Sequence, residues 1–219
     1  SGQTLQDISD RSGLVMSHNT WIHKISRLGV RPLINTPVTP NQITTLRLGC
    51  GIGAAALVAS GNESLIAWGG GVFLLSMVLD RADGELARLS GKTSPWGHKY
   101  DLIADSLSNA LIFVGLGIGL RDGFFGLWSV PMGFLAGGAV AAILWLVMRA
   151  EALQGARAAE MGGSAGFDPD DGMLAIPVLI WLGLSQVLLA LAAIGAPAFA
   201  VFFFLKFRKF LFGSEASTD

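Results

Sequence analysis

Four aspartates in two spaced pairs carry the chemistry of this sequence: Asp80 with Asp83, and Asp101 with Asp105. On helices, spacings of i,i+3 and i,i+4 put each pair on one face. The stretches flanking them, Val72 to Leu79 and Leu107 to Leu120, are strongly apolar, so the carboxylates fall in what reads as membrane interior. Ionisable groups are costly there, which makes the cluster a functional-site hypothesis. Ionised carboxylates packed together in a low dielectric need protons or cations to neutralise them. Four negative charges match two divalent ions, and hard oxygen ligands suit Mg²⁺ or Mn²⁺. A two-metal site with open positions suits in-line phosphoryl displacement. Gly84 follows Asp83 and Gly97 precedes Asp101 by about one turn, each removing bulk where a ligand could approach. Arg88 offers a planar fork for phosphate.

Helices must position these residues. Hydrophobic residues make up 52% of the 219-residue chain and charged residues 14%, against about 25% charged in soluble domains. With no strand alternation, the composition implies an all-α integral membrane protein: six transmembrane helices preceded by an N-terminal amphipathic interfacial helix. Residues 1–17 read as a polar N-terminal segment. Over 18–31, Trp21, Ile22, Ile25 and Leu28 share one face, and Lys24, Arg27 and Arg31 point elsewhere. Residues 40–213 form the transmembrane domain. Thr39-Pro40 is a helix-start signal. Spans are expected over 41–60, 65–90, 95–120 and 127–149, the last extending as far as Glu160. A loop over 162–172 follows, then spans over 173–192 and 196–212 separated by a turn at Gly195-Ala196-Pro197. At a rise of ~1.5 Å per residue, all four aspartates lie roughly 10–15 Å from the turn joining the second and third spans. As antiparallel neighbours, those two helices are expected to bring the pairs together.

Cations orient the bundle. Twelve of them, from Lys24 to Lys209, gather at one end with the amino terminus, whereas the opposite turns hold Arg121. The positive-inside rule puts that end, and the aspartates near it, in the cytoplasm. The first forty residues lack the apolar core of a cleavable signal peptide. The expected location is a bacterial inner (cytoplasmic) membrane. Cys50, the single cysteine, has no internal disulfide partner and reads as packing.

Gly69-Gly70-Gly71 and the alternating Gly115, Gly117 and Gly119 lack a preceding strand, so close helix packing explains them better than a nucleotide loop. A buried salt-bridge network with Arg81, Arg88 and Lys99 would account for two aspartates more easily than four. A divalent-cation channel or transporter is the alternative from another class. However, Leu65 to Met77 and Ala110 to Leu120, the outer halves of the second and third spans, carry no ionisable group, which argues for a site open to one side.

The run Asp80-x2-Asp83-Gly84-x2-Ala87-Arg88-x8-Gly97-x3-Asp101-x3-Asp105 resembles the signature of the class I CDP-alcohol phosphotransferase (CDP-alcohol phosphatidyltransferase) family at every fixed position. The Pro40-Asn41-x2-Thr44 opening of the first span resembles that family too, and the general likeness covers most of residues 18–212. The resemblance implies an enzyme that passes a substituted phosphate, most often the phosphatidyl group of CDP-diacylglycerol, to a small alcohol and releases CMP. It further implies that Asp80, Asp83, Asp101 and Asp105 hold two divalent ions, Mg²⁺ or Mn²⁺. Asp105 would also deprotonate the acceptor hydroxyl. Asn41, Thr44, Gly84, Arg88, Ser94 and Gly97 are the implied donor-binding positions. Implied partners are the CDP-alcohol donor, the alcohol acceptor, membrane lipids and a second copy in a homodimer, with no nucleic acid.

A phosphorylated acceptor would need cations near the carboxylates. Arg47, Lys99 and Arg149 are the candidates, and each is also readable as a headgroup-pairing cation. The Glu85-Leu86-Ala87-Arg88 run with Thr93-Ser94 loosely resembles the branch that uses inositol phosphate. His18 and His23 read as surface residues of the interfacial helix, and His98 as a residue of the cavity mouth. Asp170 or Asp171 is expected to cap the fifth span.

Overall fold

The computed structural model describes residues 36–154 and 172–212. The expected interfacial helix over 18–31, the extension beyond 154 and the capping aspartates Asp170 and Asp171 lie outside the described residues.

Among the described residues every regular element is helical. In chain order they are α1 (Pro40–Ala59), α2 (Glu63–Ser90), α3 (Pro95–Gly119), a 3₁₀ turn (Gly126–Trp128), α4 (Ser129–Gln154), α5 (Ala175–Trp181) and α6 (Ser185–Phe212). Local chemistry sets the ends nearest the aspartates. Thr39 is the N-cap of α1 with Pro40 at the first position, and the Thr39 N–H donates to Gln42 Oε1 at 2.9 Å. α2 ends at Gly91, whose φ of +66° suits a residue without a side chain. Ser94 then caps α3 by accepting from the Gly97 N–H at 2.9 Å.

Five helices, α1, α2, α3, α4 with its preceding 3₁₀ turn, and α6, are long and apolar enough to cross a membrane. The chain is a multi-pass membrane protein. The expected sixth crossing is where structure and sequence reading part. α5 has only seven residues in place of a full span over 173–192. The break comes at Leu182-Gly183-Leu184, with Gly183 at φ +72°, rather than at Gly195-Ala196-Pro197. α6 runs straight through Pro197. Proline removes one helical hydrogen bond, but membrane helices tolerate it where neighbours compensate. The glycine–proline cluster was therefore the more conspicuous turn signal and the wrong one.

α1 is the hub. It packs along both α2 and α3, which scarcely touch each other directly. The expectation that α2 and α3 pack as neighbours does not hold, since both lean on α1, yet their aspartates still converge as expected. α4 covers α3, α6 covers α4, and α5 lies on α2. Glycines set the spacing away from the aspartates. A Cβ on Gly115 would sit 2.5 Å from the Ala55 carbonyl oxygen, and one on Gly117 would sit 2.8 Å from Gly133 Cα. Such approaches are what small residues permit in membranes, where dispersion contacts drive helix association. Ala54, Val58, Phe73, Ile112, Phe113 and Leu116 fill the core between these helices. A second, small cluster of Ile43 and Leu86 lies at the aspartate end.

Candidate active site

Asp80 and Asp83 project from α2 and Asp101 from α3, and one carboxylate oxygen of each lies within 4.8 Å of the other two. Asp83 is buried, whereas Asp80 and Asp101 keep 27% and 38% of their side chains exposed, so the group opens to one side. Thr44 on α1 accounts for the burial of Asp83. Its hydroxyl donates to Asp83 Oδ2 at 2.6 Å and lies 3.1 Å from the Pro40 carbonyl.

Asp105 lies one turn farther along α3, outside that trio. Asn109 donates to its Oδ2 at 3.0 Å. Asp105 lines a pocket with Asp80, Arg81, Ser108 and Asn109, and Ser76 and Met173 reach the same pocket from α2 and the segment before α5. Among the described residues the buried Ser108 hydroxyl has no hydrogen-bond partner, which leaves a donor available inside the pocket.

Arg47 of α1 reaches into the middle of the carboxylates. It is only 1% exposed. It pairs with Asp80, lies 3.3 Å from Asp101 Oδ1 and 3.9 Å from Asp105 Oδ1, and donates to the Asp101 carbonyl at 2.8 Å. The cation that joins the aspartates is therefore Arg47. Arg88 pairs with Glu85 at 3.1 Å, and Lys99 is exposed at the start of α3. Arg149 stacks its guanidinium 5.7 Å from the Trp145 ring on α4, apart from the residues lining the pocket.

The positions implied for the donor fall around the open side. Among the described residues, nothing beyond its own helix turn comes within 4 Å of where a Gly84 Cβ would stand. Arg88 is 61% exposed, with its fork held by the buried Glu85. Asn41 Oδ1 would lie 3.1 Å from a Cβ on Gly97, so that glycine makes room for the asparagine. Ser94 caps α3, a structural duty apparent from its place before Pro95. His98 is exposed beside this rim. Reading the sequence missed Glu85, Ser76, Ser108 and Asn109. Asn109 had a signal, since it stands four residues after Asp105 and thus on the same face.

The donor set fits a divalent cation. Three converging carboxylates offer hard oxygen ligands, and Asp101 Oδ1 is buried without accepting a hydrogen bond, so it retains lone pairs for a metal.

A family profile described as CDP-alcohol phosphatidyltransferase matches residues 37–204. This chain belongs to that family. The family is named for phosphatidyl transfer from CDP-alcohols. Two curated relatives are similar over part of their length. A bifunctional IPC transferase and DIPP synthase from Rubrobacter xylanophilus is 38% identical over 87 residues, 40% of this chain and 19% of the relative. An archaetidylinositol phosphate synthase from Pyrococcus horikoshii is 33% identical over 95 residues, 43% of this chain and 48% of the relative. The matched regions thus span about a fifth and about half of those relatives. Family members are generally dependent on divalent metals, in keeping with the carboxylate trio.

Proposed function

We propose that this protein transfers a phosphatidyl group from CDP-diacylglycerol to a small phosphorylated alcohol, releasing CMP, as a step of phospholipid synthesis. The observation that carries the reading is the convergence of Asp80, Asp83 and Asp101 beside a pocket that also holds Asp105. Asp80, Asp83, Asp101 and Asp105 would hold two Mg²⁺ or Mn²⁺ ions, which would supply positive charge to the transferring phosphate. Asp105 takes the proton from the acceptor hydroxyl, with Asn109 steadying its other oxygen. The acceptor oxygen bonds to the phosphorus that carries the lipid. The bond from that phosphorus to the bridging oxygen breaks, and CMP leaves with the electron pair.

Asn41, Thr44, Gly84, Arg88, Ser94 and Gly97 form the donor side. Gly84 leaves space for the nucleotide, and Arg88, held by Glu85, meets a phosphate. Thr44 acts by orienting Asp83. The phosphorylated nature of the acceptor is supported by the name of the Pyrococcus relative, a synthase of an inositol phosphate lipid, and by two guanidinium groups, Arg47 and Arg81, on the pocket that holds Asp105. The abundance of cations at the aspartate end supports a site that faces the cytoplasm, in a bacterial inner membrane. The rival reading, a cation channel, finds no support in the packing. Phe73, which lines the pocket, is buried, and it packs in one apolar core cluster with the fully buried Ile112 and Leu116.

A screen for CMP release tests the proposal, using liposomes with CDP-diacylglycerol, Mg²⁺ or Mn²⁺, and matched phosphorylated and unphosphorylated alcohols. CMP is expected with a phosphorylated acceptor. Turnover confined to unphosphorylated alcohols would remove the acceptor class, and metal-dependent ion flux without CMP from any CDP-alcohol would remove the reaction.

A further inference from the structure

Arg47 is a fully buried guanidinium in the midst of acidic groups, which is more than a contact to one of them. Through one side chain it reaches Asp80, Asp101 and Asp105, and through its own carbonyl it accepts from the Ser76 hydroxyl of α2 at 3.0 Å. Asp80 and Asp101 also belong to the trio whose oxygens converge. The guanidinium and a divalent ion therefore address the same carboxylates. Two cations side by side in a low dielectric repel each other strongly. Arg47 Nε, moreover, is buried with no hydrogen-bond partner among the described residues, so charge holds this group more than a complete set of hydrogen bonds does.

We infer that Arg47 is an exchangeable counter-ion: it holds the aspartates together by itself, and divalent ions enter by displacing it from Asp80 and Asp101. The displaced guanidinium stays on the wall of the pocket it already lines with Asp105 and Arg81. Arg47 is in this sense a positioning residue for the carboxylates. The inference rests on their reading as a metal site.

The test uses the full chain in detergent, with Mn²⁺ as probe. Free Mn²⁺ is measured by its paramagnetic resonance signal, and thermal unfolding is followed with chelator and with saturating Mn²⁺. Arg47→Met is expected to bind Mn²⁺ about tenfold more tightly, because one repelling charge is gone. Its unfolding temperature should fall in chelator, where the acidic groups are left unbalanced, and return most of the way to wild type in Mn²⁺. Arg47→Lys, which keeps the charge but loses the fork, should fall between the two. Equal or weaker Mn²⁺ binding by Arg47→Met, or the same fall in unfolding temperature with and without Mn²⁺, would overturn the inference. Should Arg47→Met fail to fold in chelator, Arg47→Lys decides, since binding no tighter than wild type is equally fatal. Absence of Mn²⁺ uptake by the wild-type protein would overturn both this inference and the metal reading. Uptake without CMP formation would overturn the proposed reaction alone.

Discussion

The two ends of the α1–α2–α3 cluster are held together by different physics. At the aspartate end the helices meet through charge and hydrogen bonds: Thr44 to Asp83, Arg47 to Asp80 and Asp101, and Ser76 to the Arg47 carbonyl. At the other end they meet through glycine and alanine, with Gly115 against Ala55, Gly69 against Val58 and Ala54, and Gly119 against Val58. The first kind of contact depends on which ions are present. The second depends on shape alone. Gly84 and Gly115 show the contrast in one residue type. A side chain at Gly84 would enter open space, whereas at Gly115 it would strike backbone.

Substitutions can test this division. At the acidic end, Asp105→Asn should lower CMP release by about a thousandfold or more, as expected for loss of a general base, while the unfolding temperature stays close to wild type. Retained turnover would remove Asp105 as the base. Thr44→Val should cost about 10–100-fold in activity or metal affinity by freeing the Asp83 carboxylate, with titration of activity against Mn²⁺ as the readout. An unchanged Mn²⁺ requirement would mean that Thr44 serves α1 only. Arg88→Ala should raise the KM for the CDP-linked donor about tenfold with little change in stability, the scale of one charge-assisted hydrogen bond. An unaltered donor affinity would refute its phosphate contact.

At the apolar end, Gly115→Leu should destabilise the bundle by roughly 1–3 kcal/mol or more through overpacking against Ala55, seen as a lower unfolding temperature in chelator and in Mn²⁺ alike. A metal-dependent loss there would blur the division between the ends. Gly84→Ala should leave the unfolding temperature within error of wild type, because among the described residues nothing lies in the way of the added methyl. Any loss of donor affinity in that variant then reports on the ligand.

Much of this was legible in the chain. The signature residues, the lengths of the first four spans, the Thr39-Pro40 start and the packing role of the glycines follow from local patterns. The α5–α6 region was misread because Gly195-Ala196-Pro197 is a stronger turn signal than the lone Gly183. In a membrane, neighbouring helices can carry a proline through a helix, and that depends on packing no local window contains. Arg47 was visible as a cation on the inner half of α1, yet its partners lie 33, 54 and 58 positions away along the chain.

Residue order alone specified that helices cross a membrane and that acidic pairs ride on two of them, because periodicity, hydropathy and i,i+3 or i,i+4 spacing are local properties. It specified the family as well, because the signature occupies one short run. Which helix packs on both acidic helices, and which cation and hydroxyl it delivers to them, came from folding. α1 fits between α2 and α3 because small residues let backbones approach at one end and opposite charges attract at the other, and both conditions arise between segments distant in sequence.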